Sequence, residues 1–181
     1  LSNTLSGGIV PAAVASLTNN YSLDFDGTDD RLVIGDVTIL DDSNTFAIST
    51  WVKLDSLPTS KYVIVSKDDA YELYIRWSGS YIYVYLRLNN GSTNGTGAIT
   101  FNADTWYHLA AVHNSGGTDI YLDGTAVGTG LGSQVTINDT SSALAIGSRV
   151  AFGNNYATDG FIDEVAIFNV LLAVPIAKAL N

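Results

Sequence analysis

Tyr74, Tyr81, Tyr83 and Tyr85 crowd into one stretch, YELYIRWSGSYIYVYLR (Tyr71 to Arg87), where they interleave with Glu72, Arg76 and Arg87. Phenol rings offer flat apolar faces on which the C–H surfaces of sugars can lie, and carboxylate and guanidinium groups beside them can bond sugar hydroxyls. The same residue types also pair across strands to stabilise a sheet, with Arg76 stacking on Tyr81. Tyr and Arg are, in addition, favoured at protein interfaces. Residue type alone therefore leaves three uses open: a glycan site, a protein contact, or sheet stability.

Asp26-Gly27-Thr28-Asp29-Asp30 is the other group able to do chemistry. Calcium takes six to eight oxygens, and Asp26, Asp29, Asp30 and the carbonyls around Gly27 can supply several. The competing use is plain turn capping, in which each carboxylate accepts from neighbouring backbone N–H groups. The spacing matches no EF-hand loop. Asp41-Asp42 and Asp68-Asp69 read as solvated turns. His108 and His113 differ in strand parity, so they point to opposite faces and cannot share a metal or a proton relay. Catalysis finds no footing. A retaining glycosidase needs two carboxyls about 5–5.5 Å apart, whereas Glu72 and Glu164 fall in separate strands, and no G-x-S-x-G elbow occurs. No catalytic residue is assigned, and the chain is read as a non-enzyme.

The elements that position these groups are strands. Two runs rich in Tyr and Ile flank Ser78-Gly79, which predicts a hairpin closed there, with Arg76 opposite Tyr81, Tyr74 opposite Tyr83 and Glu72 opposite Tyr85. With a side-chain period of two, Tyr71, Leu73, Ile75, Ile82, Val84 and Leu86 share a core face, and the tyrosines and charges share the other, exposed to water. Other predicted strands are Tyr21–Phe25 with Arg31–Ile34 returning after the acidic turn, Thr45–Leu54, Tyr62–Ser66, Trp106–His113, Ile120–Leu122 with Thr125–Val127 around Asp123-Gly124, Val135–Ile137, Ala143–Ile146 and Gly160–Phe168. Asn89–Gly97 reads as a polar loop with no shape of its own. The predicted core is Phe25, Phe46, Ile48, Val52, Leu73, Ile75, Val84, Leu86, Ile120, Ile146 and Ile162. Residues 1–20 read as a leader, linker or docking segment, and Leu171–Leu180 as a short helical turn closing a domain over residues 21–181.

Composition agrees with an all-β chain. Of 181 residues 17 are Gly and only 3 are Pro, and the 18 acids, nearly all Asp, suit turns better than helices. A net charge of −10 with no basic run in the sequence argues against nucleic acid and anionic membranes as partners. No apolar stretch reaches the roughly 18 residues of a membrane span. There is no Cys, hence no disulfide or thiolate metal site.

Several motifs in order resemble laminin G-like, concanavalin A-like jelly rolls: Ser22-Leu23-Asp24-Phe25-Asp26-Gly27 with Asp29-Asp30, Phe46-Ala47-Ile48-Ser49-Thr50-Trp51-Val52, Val65-Ser66-Lys67, Trp106-Tyr107-His108-Leu109-Ala110, Tyr121-Leu122-Asp123-Gly124, Ile146-Gly147-Ser148 and Gly160-Phe161-Ile162-Asp163-Glu164-Val165. The resemblance spans about residues 21 to 181. It implies an antiparallel two-sheet sandwich and a role in carbohydrate or protein adhesion at an extracellular, cell or virion surface. It also implies, in many members, a structural calcium ion bridging the opening turn (Asp26, Gly27, Asp29) to the acid of the closing motif, here Asp163. The expected function is non-catalytic binding of a surface glycan through Glu72, Tyr74, Arg76, Tyr81, Tyr83, Tyr85 and Arg87. The alternative is an assembly module of a virion or adhesin, with the tyrosine face and residues 1–20 packed on other subunits.

Overall fold

The computed structural model describes residues 21–151 and 156–170. The readings made above for residues 1–20 and 171–180 lie outside them. Twelve strands are present among the described residues: β1 (Leu23–Asp26), β2 (Leu32–Asp36), β3 (Phe46–Leu54), β4 (Lys61–Lys67), β5 (Tyr71–Ser78), β6 (Tyr81–Leu88), β7 (Ser92–Gly95), β8 (Trp106–Asn114), β9 (Gly117–Leu122), β10 (Thr125–Leu131), β11 (Ala143–Ile146) and β12 (Asp159–Phe168). They form two six-stranded sheets, β1-β12-β3-β8-β9-β10 and β2-β11-β4-β5-β6-β7, with every pairing antiparallel. This is the jelly-roll sandwich the motifs predict.

The core lies between the sheets because each strand turns one alternate set of side chains inward. In β3 that set is Phe46, Ile48, Val52 and Leu54, and in the β5–β6 hairpin it is Tyr71, Leu73, Ile75, Ile82, Val84, Leu86 and Leu88. All the residues expected in the core are buried there. The outer face of the first sheet is also closed over small residues, with Ala47, Ala110, Val112 and Tyr121 forming a second cluster against Phe168.

Four local expectations are corrected. The β5–β6 turn is Gly79-Ser80, not Ser78-Gly79, so Ser78 faces Tyr81, Arg76 faces Tyr83, Tyr74 faces Tyr85 and Glu72 faces Arg87. Gly79 has φ 69° and no other turn residue is left-handed, so the glycine takes the first central position of a II′-type turn, where a Ser would be strained. β1 and β2 do not form a hairpin: the acidic turn crosses between layers, since β1 pairs with β12 while β2 pairs with β11 in the other sheet. Residues 135–137 form no strand, though Ile137 is buried and its N–H donates to the Ser43 carbonyl at 2.8 Å. The polar segment 89–97 is ordered as edge strand β7, tied down by Asn94 Nδ2 donating to Thr118 Oγ1 at 2.9 Å.

The two histidines are structural and on opposite faces. His113 packs in the core against Phe46, with Nδ1 on Thr118 Oγ1 at 2.9 Å and Nε2 accepting from the Val135 N–H at 2.9 Å. His108 bonds Ser49 Oγ through Nε2 at 2.8 Å on the outer side of the first sheet. Burial lowers the basicity of both rings, against weaker opposing pulls from Asp123 and Glu164 on His108 and from the Val135 backbone on His113. With folded pKa values below the unfolded value of about 6.5, the unfolded chain gains protons first as pH falls. Their stabilising contribution is therefore whole above about pH 6.5 and is lost as pH drops through the folded values. Thermal midpoints should be level from about pH 7 to 8 and decline between about 6.5 and 5. Unchanged midpoints over that acid range would contradict neutral, sealed imidazoles.

Candidate functional site

The outer face of the second sheet carries the tyrosines in a grid fixed by register. Across β5 and β6 the rows are Ser78–Tyr81, Arg76–Tyr83, Tyr74–Tyr85 and Glu72–Arg87, and β4 adds Lys61 beside Arg76 and Val63 beside Tyr74. The sequence places these side chains together on one face, but only half of that face is open.

The closed half centres on Glu72, 2% exposed. Its carboxylate accepts from Lys61 Nζ and from an Arg87 terminal nitrogen at 3.0 Å, and forms an ion pair with Arg149, whose Nε lies 2.8 Å away. Arg149 also faces Asp68 Oδ1 at 3.3 Å, and Asp68 Oδ2 accepts from the Ala151 N–H at 2.8 Å. The chain after β11 thus folds over the β4–β5 part of the face, anchored by Gly147 N–H on the Ile64 carbonyl (3.0 Å), Ser66 Oγ on the Ser148 carbonyl (3.0 Å) and Thr158 Oγ1 on the Val63 carbonyl (2.7 Å). Tyr74, 6% exposed, is covered by its strand neighbours. Lys61 Nζ sits 4.2 Å from its ring centroid, and Tyr85 stacks on it at 5.0 Å and 16°. Burial, with Glu72 and Tyr85 adding to it and Arg76 and Arg87 opposing, pushes the Tyr74 phenol up to about 12. Tyr85 lies against Gly95 of β7, where an added Cβ would overlap its ring.

The open half holds the remaining residues. Tyr81 is 57% exposed, Tyr83 is half-buried with its ring 6.2 Å from Tyr85, and Arg76 is exposed. Of the seven residues expected to meet ligand, then, Glu72 and Tyr74 are buried within the protein, and Arg87 donates to Glu72. Lys61 and Arg149 complete the charged centre and were not expected from the sequence. The one signal pointing to them is that a buried carboxylate needs cations nearby, and a carboxylate's burial is itself invisible in the chain.

In the acidic turn the carboxylate oxygens of Asp26, Asp29 and Asp30 come within 4.8 Å of one another, all three residues exposed. Asp26 Oδ1 accepts from the Thr28 N–H at 2.8 Å and the Asp29 N–H at 3.3 Å, and Asp30 Oδ2 accepts from the Asp26 N–H at 3.1 Å. Capping therefore accounts for much of the cluster. Asp163 is not brought to it. β12 sets Asp159 opposite Asp26 and ends its pairing with β1 at Ile162, so Asp163, opposite Trp51, stands four residues farther on, roughly 13 Å along the strand. The acid beside the turn is Asp159, whose Oδ2 accepts from Ser56 Oγ.

The two Glu residues lie in different sheets, Glu72 in β5 and Glu164 in β12, so they cannot form a carboxyl pair across one bond. A family model described as the concanavalin A-like lectin/glucanases superfamily matches residues 26–175. The chain belongs to that superfamily. No curated protein matches it in sequence.

Among solved structures, members with the superfamily's sandwich superpose at low identity. Domain 4 of AbnA, a GH43 extracellular arabinanase from Geobacillus stearothermophilus, in complex with arabinotriose, is 19% identical with a TM-score of 0.67, covering 88% of this chain and 75% of that one. The CBM40 of Ruminococcus gnavus IT-sialidase bound to α2,3-sialyllactose is 12% identical with a TM-score of 0.68, covering 88% and 95%. The native heptameric SAP-like pentraxin from Limulus polyphemus is 16% identical with a TM-score of 0.67, covering 87% and 79%. At these identities the superpositions establish the fold. Among the described residues no helix is long and apolar enough to cross a membrane.

Proposed function

We propose that this superfamily member is a non-catalytic carbohydrate-binding module of an extracellular surface, holding sugar on the open half of the second sheet's outer face. The observation that carries the reading is Tyr81, 57% exposed, standing beside Tyr83 and the exposed Arg76 on a paired, rigid hairpin. Aromatic faces with adjacent donors suit a sugar ring, and a sheet holds them in place without ordering a loop. The arabinotriose and sialyllactose complexes of two structural neighbours support it. A glycan array followed by titration calorimetry tests the reading. Tyr83→Ala is expected to weaken the best sugar about tenfold, the upper end of an aromatic contact of about 0.5–1.5 kcal/mol. An array on which nothing binds would end it.

Calcium at Asp26, Asp29 and Asp30 is a second element of the proposal. Three carboxylates so close repel one another unless a cation shares them, and the Gly27 carbonyl region adds oxygens. A chelator should lower the melting temperature, and calcium at about 100 times its Kd should restore about 2.7 kcal/mol. Identical melts with and without chelator would remove the ion.

A second reading, assembly with other subunits, is favoured by one observation. Edge strand β2 carries three consecutive exposed apolar residues, Leu32, Val33 and Ile34, at 42%, 47% and 51% exposure. Unpaired apolar edges invite a further strand. Light scattering of the chain with and without residues 1–20 decides it, and a monomer in both forms rejects assembly.

A further inference from the structure

The chain has 8 Lys and Arg residues in a net charge of −10, and four of them converge on the outer face of the second sheet: Lys61, Arg76, Arg87 and Arg149. The acids among them are Glu72 and Asp68, with Asp69 on the adjoining turn bonded to Asn90. Three of the cations surround Glu72. Arg76 does not. It is exposed, its guanidinium makes no hydrogen bond or ion pair among the described residues, and the β4–β5 register sets it directly opposite Lys61. Like charges in directly opposed positions cost a sheet stability, and here Glu72 draws Lys61 aside while the Arg76 fork stays open to solvent. Tyr83 stands across from Arg76, and Tyr81 follows on the same face.

We infer that the open half of this face takes an acidic sugar, with its carboxylate received by the Arg76 guanidinium and its ring lying on Tyr83 and Tyr81. The inference rests on the carbohydrate reading above and narrows it. A guanidinium presents paired donors that match a carboxylate in the plane of the fork. A single carboxylate a few ångströms away responds to this local cluster, because charges beyond about 8 Å are largely screened at physiological salt. A long polyanion would also meet the surplus acids elsewhere on the surface, which favours a short acidic saccharide over nucleic acid.

The test is an array of the complete chain against sialylated and uronate-containing oligosaccharides, each printed beside its carboxyl-reduced counterpart, with sulfated neutral sugars as a third set. At least one acidic glycan should bind about tenfold more tightly than its reduced form, and 300 mM salt should erode that preference relative to 50 mM. Arg76→Gln should bring the ratio to about one without lowering the melting temperature, since Arg76 is exposed and faces Lys61. Lys53→Gln, the same charge change beside Trp106 and Phe161 on the other sheet, should leave the ratio intact. If acidic and reduced forms bind equally, or neutral sugars alone bind, the inference fails and the carbohydrate reading stands. Silence across the whole array overturns both. A preference for sulfated over carboxylated sugars overturns the carboxylate assignment, and an acid preference that survives Arg76→Gln overturns the role of Arg76.

Discussion

Glu72→Gln is expected to cost about 3–5 kcal/mol of folding stability, the range for stripping one partner from a buried ion network. Glu72 is 2% exposed, and its carboxylate is shared by Lys61, Arg87 and Arg149. Gln keeps the volume and removes the charge, so three cations face one another while Arg149 keeps its contact with Asp68. Burial already lowers the Lys61 pKa, and the hydrogen bond and charge of Glu72 are what oppose that fall. Without them the ammonium is held still less firmly, and its place 4.2 Å over Tyr74 loses its anchor. For a domain of this size about 1 kcal/mol moves the midpoint by roughly 2–4 °C, so the melt should drop on the order of 10 °C. Adding Lys61→Met should recover part of the loss by deleting one of the stranded charges. A loss under about 1 kcal/mol would show that the network is hydrated and that the covering segment 147–151 does not seal it.

Gly160→Ala is expected to abolish cooperative folding. Gly160 sits in β12 between two partners, opposite Phe25 of β1 and Leu54 of β3. Its φ is 131°, a region closed to residues with a Cβ. An added Cβ would stand 2.2 Å from the Lys53 carbonyl oxygen and 2.7 Å from the Leu54 Cα. Both obstacles are backbone, so no rotamer change relieves them, and β12 would have to part from β3. Losses above about 4 kcal/mol arise from such backbone conflicts, and they approach the whole stability of an ordinary domain, about 5–15 kcal/mol. Circular dichroism and solubility of the variant check this. A soluble variant with an unshifted melt would mean that the β12–β3 contact is looser than the register implies.

Alternation was legible in the chain itself. The inward set of β3 and of the β5–β6 hairpin, the opposed faces of His108 and His113, and the Asp123-Gly124 turn, with φ of 49° and 69°, all follow from a side-chain period of two and from local turn chemistry. The hairpin shows how robust that property is. The turn sits one residue later than Ser78-Gly79 suggests, which slides the pairing by two, and a slip of two leaves every side chain on its own face. Partners changed and faces did not.

Whatever depends on segments far apart in sequence was settled by the tertiary structure. Parity puts Glu72 and Tyr74 on the outer face, but their burial comes from partners elsewhere in the chain: Gly147, Ser148 and Thr158 bond back to β4 and bring Arg149 to Glu72 in β5, while Lys61 and Tyr85 cover Tyr74. The chain shows scattered cations and no basic run, and folding gathers four on one face. The acidic turn reads as a hairpin until β2 finds its partner in β11, and the acid that meets it is Asp159 because the β1–β12 register says so. Periodicity is written residue by residue. Which strand lies beside which, and what lies across a face, depends on contacts whose partners no short window of sequence contains.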